Sequence, residues 1–412
     1  MIKELTMEKT SLPVGWEMKI FDEVINFSQI GLVRNNKEQS LEYDFRYLKM
    51  NNINNDNGLN EDSFKFVNAT NEEVEKYQLV NDDFLFNTRN SFELVGKNCL
   101  YQSDYKKPTL FNNNILRVRF KEFLVPEFVA YAFSSKQLVD DLEKLKSGTT
   151  NVVGIYYKSL KNLEIPVPPL PQQKQIVALL DKAFAAIDTA KANAEQNLQN
   201  AKELFESYLK NVFENKGDDW EEKTIGDLGK PSMCKRILKE QTSSSGDIPF
   251  YKIGTFGKTP NAFISKELYE EYKTKYSFPN KGDILISASG TIGRRVIYNG
   301  EPAFFQDSNI VWIDNDEKQV LNEYLYCFYG FCDWQPSKGA TISRLYNANL
   351  KRIKISFPKS LLEQKTVIQK IEVLSNKTKK LEAIYAQKLA DLEELKKSVL
   401  QKAFSGQLNT IN

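Results

Sequence analysis

The chain has 412 residues, 41% of them hydrophobic and 12% aromatic, which is enough for two or three packed domains and argues against disorder. It contains no histidine, which excludes Ser-His-Asp and Cys-His chemistry, a histidine general base and a histidine-ligated metal; any catalysis would have to run on carboxylates, lysine or tyrosine. A net charge of +2 does not mark a nucleic-acid binder, so a DNA-contacting basic surface would have to be local.

The N-terminal MIKELTMEKT has no apolar run behind its basic residue, and no later segment reaches the roughly 18–20 apolar residues of a membrane span. The expectation is a cytoplasmic protein without membrane contact. Cys99, Cys234, Cys327 and Cys332 form no CxxC pair and are read as idle thiols in a reducing compartment, with no metal site.

A first domain is expected over residues 1–165. It opens at Trp16-Glu17-Met18-Lys19 and contains an apolar strand entered through an acidic turn, Asp83-Phe84-Leu85-Phe86-Asn87-Thr88. Near its end stand Gly148-Thr149-Thr150, followed by Leu160, Leu163, Ile165 and Pro168. The proline-rich PVPPLPQQ, Pro166 to Gln173, then stiffens the entry to a long helix over 166–217. A second domain over 218–358 repeats the plan: Trp220-Glu221-Glu222-Lys223, Asp283-Ile284-Leu285-Ile286-Ser287-Ala288, then Gly339-Ala340-Thr341 with Leu350, Ile353, Ile355 and Pro358. A second long helix occupies 359–412, with Ser360 in its cap region. Such self-similarity marks an internal duplication.

The helices carry the strongest echo. Gln173-Lys174 matches Gln364-Lys365, and the offset then holds without a gap as far as Phe213 and Phe404. A 3-4 apolar seam predicts pairing through Ile176, Leu180, Ala183, Ile187, Ala190, Ala194, Ala201 and Leu204 on the first helix. On the second it runs through Val367, Ile371, Leu374, Leu381, Tyr385, Leu392, Leu395 and Val399. About 40 residues at ~1.5 Å each give rods of roughly 60 Å. The alanine-rich seam complements the bulky one, so the two helices are expected to pack on each other within one chain. Asn197 and Lys388 interrupt the seams at the same point; they read either as a register device or as a solvated kink.

This order of motifs, repeated twice at domain spacing, closely resembles the specificity subunit of type I restriction-modification systems over nearly the whole chain. The carrying residues are Trp16-Glu17 and Trp220-Glu221, the Gly148 and Gly339 loops, Ile165-Pro166-Val167-Pro168-Pro169-Leu170 leading to Gln173-Lys174, and the closing Phe404-Ser405-Gly406-Gln407-Leu408. Pro358-Lys359-Ser360 departs from the double proline of the first copy, and a looser corner is expected there. The resemblance implies a mixed α/β (α+β) fold: two target-recognition domains and two long helices in an intramolecular antiparallel coiled coil with pseudo-two-fold symmetry. It implies that each domain reads one half of a bipartite double-stranded DNA target while the helices set the unread gap. It further implies two docked methyltransferase subunits and, in a full complex, two restriction-translocase subunits. The chain itself would hold no cofactor, with S-adenosylmethionine, ATP and Mg belonging to the partners, and would be non-catalytic.

Candidate DNA-contacting residues are Asn87, Thr88, Arg89 and Lys97 in the first domain and Ser287, Ser289, Thr291, Arg294 and Arg295 in the second. Small hydroxyl-rich loops with glycine let backbone N–H groups approach phosphate, Asn can pair with adenine and Arg can fork onto guanine. The loops from Lys146 to Thr150, including Thr149, and from Lys338 through Thr341 to Arg344 are candidates for backbone contact. Arg117-Val118-Arg119 and Lys351-Arg352-Ile353-Lys354 read as exposed strand faces. Gly254-Thr255-Phe256-Gly257-Lys258-Thr259 imitates a phosphate loop, but Lys252 stands where the first glycine is needed and Pro260 blocks the following helix. The non-enzymatic rival is a coiled-coil adaptor that binds proteins without DNA specificity.

Overall fold

The computed structural model describes residues 12–54, 57–149, 152–215, 217–337 and 343–407. The chain divides into two compact units, residues 1–193 with 388–412, and residues 194–387. Each unit holds a globular domain and one half of each long helix.

The first domain runs β1 (Glu17–Ile20), α1 (Phe21–Val24), β2 (Ile25–Ile30), β3 (Phe45–Leu48), β4 (Lys65–Val67), α2 (Asn71–Tyr77), β5 (Phe84–Asn87), β6 (Arg89–Asn90), β7 (Asn98–Leu100), β8 (Thr109–Phe111) and β9 (Ile115–Phe120). It continues through α3 (Pro126–Ala132), α4 (Lys136–Leu145), β10 (Ser147–Thr149), β11 (Val152–Gly154), α5 (Tyr157–Leu160) and β12 (Glu164–Val167) into the long helix α6 (Leu170–Glu214). The second runs β13 (Trp220–Thr224), α7 (Ile225–Leu228), β14 (Gly229–Ser232), β15 (Ile248–Tyr251), β16 (Phe263–Ile264), α8 (Lys266–Lys275), β17 (Ile284–Ser287), β18 (Arg295–Ile297), β19 (Phe304–Phe305) and β20 (Ile310–Asn315). Then come α9 (Asn322–Tyr329), α10 (Asn347–Arg352), β21 (Lys354–Pro358) and the second long helix α11 (Leu361–Phe404).

The two domains share one wiring. Four-stranded sheets have the orders β2-β9-β5-β7 and β14-β20-β17-β18, and three-stranded sheets β4-β3-β8 and β16-β15-β19. In both three-stranded sheets the second pairing, β3 with β8 and β15 with β19, is parallel. The strand that opens each domain pairs antiparallel with the strand that closes it, β1 with β12 and β13 with β21. The next backbone bond also repeats: Phe21 donates to the Leu163 carbonyl and Ile225 to the Ile353 carbonyl, both at 2.8 Å. The Trp-Glu echo therefore marks a domain entrance zipped to its exit, and the sequence duplication is a duplication of topology.

The glutamine echo has a structural cause. Gln173 and Gln364 are fully buried at the starts of α6 and α11. Gln173 accepts from Val125 N (2.9 Å) and donates to the carbonyls of Phe123 (3.0 Å) and Pro168 (2.8 Å). Gln364 accepts from Leu321 N (2.9 Å) and donates to Gln319 and Pro358 (both 2.8 Å). Each amide ties a helix start to the end of the domain's last strand and to the entry of α3 or α9, satisfying backbone groups that would otherwise be buried unpaired.

The helices run through the two cores. In the first unit Ile176 and Leu180 of α6 share a core with Leu400 and Ala403 of α11. Lys191 pairs with Glu393 (2.6 Å), and Asp188 with Lys396 (3.6 Å). Positions rise on one helix as they fall on the other, so the packing is antiparallel. In the second unit Leu209 and Phe213 share a core with Ile368 and Ile371. The matched phenylalanines are anchors: Phe404 packs on Phe128 (5.2 Å between ring centroids), and Phe213 packs edge-on against Tyr324 and Phe328 (both 5.5 Å).

The structure corrects the sequence reading of the seam at three of its sixteen positions. Ile176, Leu180, Ile187, Ala194, Ala201 and Ile371 are buried, and Ala183, Ala190, Val367, Leu374, Tyr385, Leu392 and Val399 are half-buried. Leu204, Leu381 and Leu395 instead face solvent, 60%, 40% and 48% exposed. The inward positions there are one residue later: Phe205, Glu382 and Lys396. Asn197 and Lys388 are exposed, while Leu198 and Leu389 turn inward beside them, so neither polar residue interrupts the buried stripe. Both helices are continuous where a kink was an alternative. At two of these places the inward residue is charged, because a long charged side chain can bury its stem in the seam, and Lys396 pairs at its tip with Asp188.

Candidate nucleic-acid interface

At the end of each four-stranded sheet the chain leaves the apolar strand through a small antiparallel sheet. In the first domain its order is β10-β11-β6. In the second the same place is held by two isolated bridges, Ser289 to Arg344 and Ser337 to Arg344. The frame beneath is identical. Thr88 N donates to Asn114 O (2.8 Å) and Ile155 N to Thr88 O (2.9 Å); Ala288 N donates to Asn309 O (2.7 Å) and Leu345 N to Ala288 O (2.9 Å). The strand-end loop, a separate candidate in the sequence, thus meets the glycine loop in the first domain and the flanking Arg344 in the second.

Many of the candidate side chains are engaged internally. Asn87 is fully buried, donating to Leu94 O (3.1 Å) and accepting from Arg89 N (3.3 Å). Thr88 donates to Asn114 O (2.9 Å), and Lys97 is half-buried with its carbonyl accepting from Asn87 N. Lys146 is also held inside, donating to Phe92 O (2.7 Å) with its ammonium over the Phe92 ring and its side chain 6% exposed. Ser287 donates to Thr291 O (2.5 Å) and accepts from Arg294 N (2.8 Å). Arg294 donates to Phe256 O (3.0 Å). Arg295 lies over the Tyr326 ring (4.5 Å) with a buried Nε lacking a partner. Hairpins must satisfy their own backbone, and these polar side chains are bonded within their domain.

Four candidates present themselves outward: Arg89, Thr149 and Thr291 are exposed and Arg344 is half-exposed. Ser289 is buried and donates to Asn309 Oδ1 (2.7 Å), which also accepts from Arg344 (3.0 Å). Thr150, Lys338 and Thr341 lie outside the described residues. Sequence reasoning missed Asn114 and Asn309, the frame of both sites. Their signal was present as Asn114-Ile115-Leu116 and Asn309-Ile310-Val311.

Arg117-Val118-Arg119 also needs correction. Arg117 is 3% exposed and donates to Gln78 O (2.7 Å), Lys76 O (3.1 Å) and Gln29 Oε1 (2.6 Å). Burial pushes its pKa below the usual arginine value, against a partial opposing pull from Asp83. Arg119 forks onto buried Asp83 (2.5 and 3.2 Å). Lys351 and Arg352 end a short helix rather than lining a strand, and Lys354 pairs with Glu222 (3.1 Å). The cysteines are poor nucleophiles: burial pushes the Cys99, Cys234 and Cys332 thiols up to about 12 and Cys327 to about 11. Among the described residues no cluster of ligands could hold a metal, and no helix is long and apolar enough to cross a membrane.

A duplicated α/β domain, with two long helices each shared between the units, defines a two-module recognition protein. The profile of the type I restriction modification DNA specificity domain matches residues 13–200 and 217–393, and the chain belongs to that family. It is 48% identical over 277 residues to a putative type I restriction enzyme specificity subunit of Haemophilus influenzae, covering 64% of this chain and 69% of that one. It is 24% identical to the putative MjaX specificity subunit of Methanocaldococcus jannaschii, over 98% of this chain and 97% of the relative. Among solved structures, one described under complex assembly and conformational transition of the type I R-M system matches with a TM-score of 0.74 at 19% identity, over 97% of this chain and all of that one. The HsdS subunit from Thermoanaerobacter tengcongensis matches with a TM-score of 0.62 at 18% identity, over 98% of this chain and all of the other. The chain is a DNA-specificity subunit by family, and the adaptor alternative is not favoured.

Proposed function

We propose that each globular domain reads one half of a bipartite duplex target and that the two long helices fix the unread gap. The observation that carries this is the repeated wiring: identical strand orders, the same zipped entrance and exit, and the same backbone hydrogen-bond frame at the end of β5 and of β17. Two like readers in one chain suit two half-sites, much as a two-fold dimer does. The exposed Arg89, Thr149 and Thr291 and the half-exposed Arg344 are the contact candidates at these strand ends; the buried polar residues shape the loops that present them.

The chain acts as a non-catalytic cytoplasmic subunit. Methyltransferase subunits dock on the helical regions and bring S-adenosylmethionine; a full complex adds restriction subunits that use ATP and Mg. Its solvent-facing leucines Leu204 and Leu395 hold matching places on α6 and α11 and suit such docking.

The test is co-expression with a cognate methyltransferase subunit followed by mapping of methylated bases. A split motif with a fixed unread gap is expected. A continuous motif, or methylation without sequence preference, contradicts the reading.

A further inference from the structure

The small sheets differ in one instructive way. In the first domain Arg89 of β6 stands directly opposite Gly154 of β11. In the second, Ser289 stands opposite Arg344. The flanking bonds show that these are the same pair. Arg89 follows Thr88 and Gly154 precedes Ile155, as Ser289 follows Ala288 and Arg344 precedes Leu345; the bonds from Ile155 N to Thr88 O and from Leu345 N to Ala288 O, both 2.9 Å, are equivalent. Each cross-strand pair therefore holds one arginine and one small residue, and the arginine has changed strand between the copies.

We propose that Arg89 and Arg344 are one functional position, a single guanidinium per domain that grips a backbone phosphate of that domain's half-site. This rests on the specificity-subunit reading and deepens it. Among the described residues neither arginine forms an ion pair. Arg89 is exposed. Arg344 is steered by Asn309 Oδ1, which Ser289 also reaches, and keeps its other N–H groups. The opposite position stays small: a Cβ added to Gly154 would come within 2.9 Å of the Tyr156 ring.

The change of strand decides between phosphate and base. Directly opposed Cα atoms are about 4.5–5.5 Å apart, so the guanidinium approaches from a different root in each domain. A fork onto guanine O6 and N7 needs one fixed approach, whereas attraction to a phosphate tolerates several. The feature kept in both copies is charge, and the partner common to any two half-sites is the sugar-phosphate backbone.

The test uses the complex with its methyltransferase subunit, binding the mapped duplex and a scrambled duplex across a salt series. Arg89→Ala and Arg344→Ala should each weaken binding roughly 5–10-fold and flatten the slope of log K against log salt by about 0.9, the loss of one phosphate contact. The methylated motif should stay the same, and Arg89→Lys and Arg344→Lys should recover most of the affinity because a point charge suffices. Unchanged affinity and slope in Arg89→Ala, whose side chain is exposed and whose fold should be unaffected, overturns the proposal. So does a motif altered at one base of the corresponding half, which would make the residue a base reader. If the unmodified complex fails to prefer the mapped duplex over the scrambled one, it is the specificity reading itself that falls.

Discussion

The sheet of the first domain buries an arginine where the second buries a tryptophan. Arg117 lies opposite Leu85 in register, and Trp312, the residue after the Val311 that pairs with Ile286, shares a buried cluster with Leu285. Two residues on, Arg119 forks onto Asp83, while its counterpart Asp314 is a second acid beside Asp283. The interiors also differ beyond β7 and β18. Ile53 and Phe64, from the segment between β3 and β4, pack on Leu48, Leu85 and Phe111. Their counterparts Tyr251, Leu285 and Phe305 border a cavity of about 290 Å³. The backbone frame is common property, whereas the filling has diverged. Hydrogen-bonded registers leave little freedom, but a core accepts many solutions of suitable volume.

The largest effect should fall on the shared frame. Gln173→Ala and Gln364→Ala each strand three backbone groups in the interior, at about 1–3 kcal/mol per unpaired group, so each should cost 3 kcal/mol or more in urea unfolding. A loss confined to one copy would break the equivalence.

The acids should give opposite signs. Asp83→Asn weakens the fork from Arg119 and should cost about 1–2 kcal/mol at neutral pH. Asp283 is pushed above the usual carboxylate value, first by burial and further by Asp314, against hydrogen bonds from Asn280 N and Asn322. Its native state holds the proton more tightly than the unfolded chain. Its contribution to stability is therefore full below the unfolded value and is lost as pH rises through the raised one. Asp283→Asn should accordingly gain on the parent as pH rises from 4 to 7, read as the difference in melting temperature; a gain that grows towards acid would refute the sign.

The smallest effect concerns one backbone position. Gly282 has φ +97° and its counterpart Asp82 has φ +72°. A Cβ at Gly282 meets nothing within 4 Å, so Gly282→Ala should cost only the conformational penalty of about 1 kcal/mol.

Much of this was legible in the sequence, for stated reasons. Trp-Glu starts, Asp-entered strands and Gln-Lys helix starts recur because each marks a backbone junction that tolerates few residues. The helical period was legible, yet Leu204, Leu381 and Leu395 misled because leucine content does not reveal which neighbour turns inward when Lys396 and Glu382 can lie in the seam. At the small sheets, the residue types Asn87, Thr88 and Ser287 suit DNA and suit a hairpin equally. Composition cannot tell whether a side chain is already bonded to its own loop, so register and burial were needed to separate Arg89 and Arg344 from the other candidates.

The central claim is that each domain governs one half of the target. Replacing residues 1–165 with the corresponding domain of a family member of different specificity, then mapping methylated bases in the assembled complex, tests it most directly. The account predicts one half of the motif replaced, with the other half and the gap unchanged. Both halves changing together, or the replaced domain leaving the motif as it was, would contradict it.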